Sequence, residues 1–154
     1  MAFEKVVEYL KEKGFEDRIK EFDVSSATVI EAAEAVGCTT NEIAKTLSFK
    51  DKNGGAFLIV VSGDAKINNK KFKEEFKQKA KMLSPEEAVE LVGHKVGGVC
   101  PFAINEGCRV YLDESLKANE IVYPAAGSAN SAAKLTIEEL EKSCDYEAWV
   151  DVAI

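Results

Sequence analysis

Along residues 2–13, Phe3, Val6, Val7 and Leu10 recur at i, i+3, i+4 and i+7. That spacing makes one apolar face of a helix, which Gly14 stops. RIKEF, 18–22, alternates like a strand. The next helix opens on a capping box, with Thr28 as N-cap and Glu31 at the third position. Its stripe is Val29, Ala32, Ala33 and Val36, and Gly37 ends it. TTNE repeats the capping pattern at Thr39 and Glu42, for a short turn reaching Ala44 at most. Strict alternation over NEIAKTLSF, 41–49, then reads as a half-buried strand. In that strand Lys45 shares a face with Ile43, Leu47 and Phe49, an unusual place for an ammonium.

KTLSFKD and AFLIVVSG are two strand-like runs joined by KNGG, where Asn53-Gly54 favours a hairpin turn because both residues tolerate positive φ. FLIVV, 57–61, is apolar throughout and predicts a central strand covered on both faces. NNKKFKEEF predicts a helix with Phe72 and Phe76 one turn apart. SPEEAVELVG is a well-marked helix: Ser84 caps, Pro85 takes the first position, Glu87 the third, and Gly93 ends it. RVYLD and EIVYPAAG predict strands flanking a short turn or helix at ESLKA. GSANSA, 127–132, reads as a loop, KLT as a short strand, TIEEL as the start of a last helix with another capping box, and EAWVDV as a terminal strand. Hairpins interspersed with helices predict one α+β domain over 1–154, with a mixed or mostly antiparallel sheet.

The length of 154 residues fits one domain able to build its own core. No apolar run approaches the roughly 20 residues that span a bilayer. The acidic start MAFEKVVEYL is not a signal peptide, so a cytoplasmic location is expected. Four cysteines without paired spacing and a single histidine, His94, do not predict a metal site. In the cytosol the cysteines are expected to be reduced, small, buried hydrophobes.

The net charge of −7 argues against bulk nucleic-acid binding. The charge is uneven, however. Lys66 to Lys81 holds seven lysines against two glutamates, +5, leaving −12 for the rest. Lys66, Lys70, Lys71 and Lys73 lie in this segment, which reads either as a solvated helix face or as a dock for a short polyanion.

The usual catalytic signatures are missing. The sequence has no GxSxG, no phosphate-binding GxxxxGK[ST], and no GxGxxG after a strand. A Cys–His pair would have to use His94, with Cys100 in the same loop. The better reading is a helix-terminal histidine beside a packed thiol. What remains is backbone chemistry. GHKVGGVCPFAINEG, 93–107, is the most glycine-rich segment, and its GGVCP is held by proline. N–H groups of such a loop can polarise a carbonyl and hold an oxyanion. Lys45 would add a fixed positive charge, or else snorkel to water with its stem packed.

Three stretches in this order resemble the YbaK/ProRS-associated editing-domain family, the free-standing aminoacyl-tRNA deacylases. They are EAAEAVGCTTNEIAKTLSF, ending in a lysine-bearing strand, LIVVSGDAKINNKKF, and VGHKVGGVCPFAI, which is similar to the family's TGY…GGVSPFG loop with its GxxxP motif. The resemblance runs over about residues 24–142. It implies a curved, largely antiparallel sheet flanked by helices. It also implies hydrolysis of the ester joining a wrong, small amino acid (Ala, Ser, Thr or Cys) to the terminal adenosine of tRNA(Pro) or a related tRNA. The family's catalytic lysine falls on Lys45, and its GxxxP loop on Gly97, Gly98, Val99, Cys100 and Pro101. The amino-acid pocket is expected to involve Thr46, His94, Phe102, Gly127 and Ser128. His94 stands where the family usually has Tyr, Cys100 where Ser is common, and Ala103 in place of a Gly. GSANSA lacks a histidine that some members carry. The implied partner is a tRNA acceptor end, delivered freely or by a synthetase or elongation factor. No cofactor is expected, and a sequence without an extended heptad or interface signal predicts a monomer. The rival expectation is a non-catalytic module that binds an acyl-adenosine, a tRNA end or a synthetase.

Overall fold

The computed structural model describes residues 2–154. Helix α1 (Ala2–Glu12) buries Val6 and Leu10, the two centres of its apolar stripe. A short strand β1 (Ile19–Glu21) leads to α2 (Val29–Val36), whose capping box closes with Glu31 N–H donating to Thr28 Oγ1 at 3.1 Å. The TTNE box also forms, but it caps only a 3-10 turn, Thr40–Glu42. The chain is extended from Ile43, so helix does not reach Ala44. β2 (Ile43–Lys50) and β3 (Ala56–Ser62) make the expected hairpin. Its turn departs from expectation in one respect. Gly54 takes positive φ, +97°, while Asn53 instead donates its N–H to Asp51 Oδ1.

Six strands form the main sheet. Beyond β2 and β3 these are β4 (Arg109–Asp113), β5 (Ile121–Pro124), β7 (Leu135–Thr136) and β8 (Tyr146–Val150), in the order β7-β5-β2-β3-β4-β8. β6 (Ser131–Ala133) pairs antiparallel with β1 outside it. This corrects the reading of 127–132 as loop throughout. The curved sheet is mixed rather than mostly antiparallel: β2–β3 and β5–β7 are antiparallel, while β2–β5, β3–β4 and β4–β8 are parallel. Parallel pairing needs long crossovers. The segment between β3 and β4 supplies one, with α3 (Asn69–Phe76) and the helix begun by α4 (Pro85–Glu87). That second helix keeps its Ser84–Glu87 capping box but widens into a π turn over Ala88–Val92. Its last N–H, from Gly93, reaches back to Ala88 O at 3.0 Å.

All seven residues of β3 are buried, as an apolar strand covered on both faces requires. On one face Leu58 and Val60 pack with Val6, Leu10, Phe102, Leu112 and Leu140, from α1, the glycine loop, β4 and α5 (Ile137–Ser143). On the other, Phe57, Ile59 and Val61 pack with Phe49, Phe72 and Val152. Phe72 lies 4.9 Å from both the Phe49 and Phe76 rings. A smaller cluster of Ala32, Ala33 and Ile43 seats α2. Among the described residues no helix is long and apolar enough to cross a membrane.

Candidate active site

Strand β2 is covered unevenly along its outer edge. β5 pairs with it only at Ile43 and Ala44, and the chain at Leu83 returns to Ser48 O. Between these points the edge borders a cavity of about 480 Å³. Lys45, Thr46 and Leu47 form part of one wall, Ser26 to Val29 another, and Val96, Gly97 and Val99 a third. Among the described residues that line it, Lys45 is the one that is charged.

The pairing of Lys45 with Val61, and of Leu47 with Ile59, puts the Lys45 side chain on the Phe49 face of the sheet. Its stem packs there while Nζ donates to Gly63 O at 3.2 Å. Loss of hydration lowers its pKa, opposed in part by Asp64 and reinforced by Lys66. Gly63 is an enforced glycine, because a Cβ would fall 2.0 Å from Thr40 O. The acceptor that aims the ammonium is therefore held by close packing. Thr46 faces the opposite side, paired with Val60, and its buried Oγ1 has no hydrogen-bond partner among the described residues.

The glycine loop is wedged between two segments distant in sequence. Gly97 has φ +95°, and a Cβ there would lie 3.1 Å from Ala27 Cβ. At Gly98 a Cβ would lie 2.8 Å from Ser128 N and 2.9 Å from Gly127 C. The fold thus brings 97–98 against 127–128. The Gly98 N–H closes a turn onto Lys95 O at 3.0 Å. Among the described residues, Gly97 and Val99 line the cavity with no backbone acceptor for their N–H groups.

The remaining expected residues lie elsewhere. Gly98, Gly127 and Ser128 border a second cavity behind the loop, together with Phe3 and Lys95. Cys100, Pro101, Phe102 and His94 are buried and line neither cavity. His94 Nε2 is 2.7 Å from Phe102 O, and a carbonyl only accepts, so Nε2 carries the proton. Cys100 Sγ stands 3.5 Å from that same nitrogen, which therefore cannot take the thiol proton. Burial pushes the Cys100 thiol up to about 12 and lowers the His94 pKa. Both facts fit a packed thiol and a core histidine better than a catalytic pair. Of the expected lysines, Lys66, Lys70 and Lys73 are exposed. Lys71 is held at 3.0 Å by Asp151 and at 3.3 Å by Ala153 O. Among the described residues no cluster of three or more His, Cys, Asp or Glu could hold a metal ion.

The sequence reading did not single out Ser26, Ala27, Gly63 or Asp64. The last two stand within the SGD stretch after the central strand, where a Gly-Asp following an apolar run was the available signal. Nothing local marked Ser26.

These features define a class. Residues 24–143 match the model of the aminoacyl-tRNA editing domain, and the chain belongs to that family. It is 46% identical over 152 residues to the uncharacterized protein YwhH of Bacillus subtilis (strain 168), covering 99% of this chain and 97% of that one. A region of 100 residues is 29% identical to the proline–tRNA ligase of Thermotoga maritima, covering 64% of this chain and 17% of the ligase. A crystal structure described as "a putative trans-editing enzyme for prolyl tRNA synthetase" superposes with a TM-score of 0.88 at 30% identity, covering 99% of this chain and 97% of that one.

Proposed function

We propose that this protein is a trans-acting deacylase that hydrolyses the ester of a mischarged aminoacyl-tRNA carrying a small amino acid, on tRNA(Pro) or a related tRNA. The observation that carries the reading is that Lys45, Gly97 and Val99 line one cavity whose other described lining residues are uncharged. An aminoacyl ester is already activated, so three kinds of help suffice. The Gly97 and Val99 N–H groups polarise the ester carbonyl and hold the oxyanion; one such donor contributes about 10²–10³ in rate. Lys45, aimed by Gly63 O, takes the terminal phosphate or ribose and orients the ester, an effect able to supply several kcal/mol. Among the described residues no carboxylate or histidine lines the cavity, so the 2′-hydroxyl of the terminal ribose relays the proton from the attacking water to the leaving 3′-oxygen. Exposed Lys66, Lys70 and Lys73 guide the acceptor stem.

The test is deacylation of tRNA(Pro), tRNA(Ala) and tRNA(Thr) mischarged with Ala, Ser, Thr or Cys. At least one ester is hydrolysed by the wild type, and Lys45→Ala removes that activity while circular dichroism stays unchanged. Hydrolysis of none by the intact protein would leave a binding module in place of an enzyme. Full activity in Lys45→Ala would overturn the role given to the lysine.

A further inference from the structure

Three buried side-chain polar atoms lack a hydrogen-bond partner among the described residues, and two of them belong to this one cavity: Ser26 Oγ and Thr46 Oγ1. Buried hydroxyls are nearly always paired, so two unpaired ones converging on a cavity call for a partner that arrives from outside the protein. Ser26 is 7% exposed, and its place is set by the backbone. Its N–H donates to Ala129 O at 2.6 Å, and Ala27 beside it abuts Gly97. Thr28, two residues on, caps α2. Ser26 therefore sits beside the loop assigned to the ester carbonyl, where the acyl group of a bound ester would lie. The surroundings are largely apolar, with Val29, Ala32, Leu47, Leu83 and Val99 along the walls.

We infer that Ser26, seconded by Thr46, is a specificity-determining residue whose hydroxyl reads the β-hydroxyl of the amino acid, so that seryl esters are preferred to alanyl esters. The inference rests on the deacylase reading above. A β-hydroxyl entering the cavity pairs with Ser26 Oγ, which can donate or accept. A methyl group in the same place leaves both protein hydroxyls dry and unpaired. Sites built to hydrogen-bond a substrate hydroxyl discriminate strongly against the analogue that lacks it.

The experiment compares one tRNA body charged with Ser or with Ala, using wild type, Ser26→Ala and Ser26→Thr. Wild type is expected to hydrolyse the seryl ester about tenfold faster or more. Ser26→Ala brings the two rates close together, and Ser26→Thr restores the preference. The melting temperature of Ser26→Ala should equal or exceed that of wild type, because the hydroxyl it removes has no partner among the described residues; a structural hydroxyl would lower it. An alanyl preference in wild type, or an unchanged ratio in Ser26→Ala, overturns the inference while leaving the deacylase reading intact. Hydrolysis of neither Ser nor Ala, with Thr or Cys esters cleaved, also overturns the inference alone. Failure on every ester overturns both.

Discussion

Gly98→Ala places a single methyl group at the seam between the two loops that frame the candidate site. Its Cβ would stand 2.8 Å from Ser128 N, with Gly127 C and Ser128 Cα at 2.9 Å, whereas ordinary contact begins at 3.4 Å. The obstructing atoms are backbone, so no side chain can rotate away. The loops must part by the difference between 2.8 and 3.4 Å, about 0.6 Å at least. Overpacking of this kind costs about 1–3 kcal/mol. For a chain of this length that lowers the melting temperature by about 2–12 °C. The larger effect falls on catalysis. Gly97 and Val99 flank Gly98, and a displacement of around 1 Å in a reacting geometry can cost about 10²-fold. The assay is single-turnover deacylation of the best mischarged tRNA, alongside thermal unfolding. Gly55→Ala is the control, since Gly55 lacks positive φ and a Cβ there meets nothing within 4 Å. It should leave both readouts near wild type. Wild-type activity and melting temperature in Gly98→Ala would refute the claim that this seam positions the loop.

Lys45 has a lowered pKa, so activity that needs the ammonium should fall on an alkaline limb at a pH below the usual lysine value. Between the folded and unfolded pKa values the unfolded chain binds more protons, so the stability contribution of this group rises with pH through that window and is least favourable below it. Lys45→Met should accordingly abolish hydrolysis without lowering the melting temperature at pH 7, and a marked drop would contradict the desolvation argument. Phe72→Ala, at a fully buried ring packed between Phe49 and Phe76, should cost about 3–5 kcal/mol in denaturant unfolding. A loss under 1 kcal/mol would show that the aromatic cluster collapses around the void. If Lys66, Lys70 and Lys73 contact phosphates, deacylation under subsaturating conditions should fall with salt, with a log–log slope near −0.7 to −0.9 per contact. A flat profile would remove the basic segment from tRNA binding.

The parts of this fold legible in the sequence were those decided by neighbours a few residues away. All four capping boxes form, at Thr28, Thr39, Ser84 and Thr136, because a Thr or Ser and a Glu three residues on satisfy one another wherever the chain goes. The seven-residue burial of β3 was legible too, since an unbroken apolar run has no face to offer water. The unusual lysine was also visible, as period two alone put Lys45 on the face of Phe49. Harder to foresee was β6, hidden in a stretch of small residues that only β1 makes into a strand. The π turn after α4 likewise gave no local sign.

Composition and spacing could say that an ammonium, a glycine-rich loop and a small-residue turn existed. Only the tertiary structure decided what each faces. Parallel pairings across long crossovers bring Lys45, Thr46 and Gly97 to one cavity, with Lys45 and Thr46 on opposite faces of the same strand. They also bury Cys100 and His94 behind the loop, where burial raises the pKa of the thiol and lowers that of the imidazole. Ser26 became noticeable only through the absence of a partner, a property of every surrounding segment at once. Local signals determine elements because their energetics close within a turn or two. The site depends on contacts whose members are scattered along the chain, and those are settled only when the sheet is assembled.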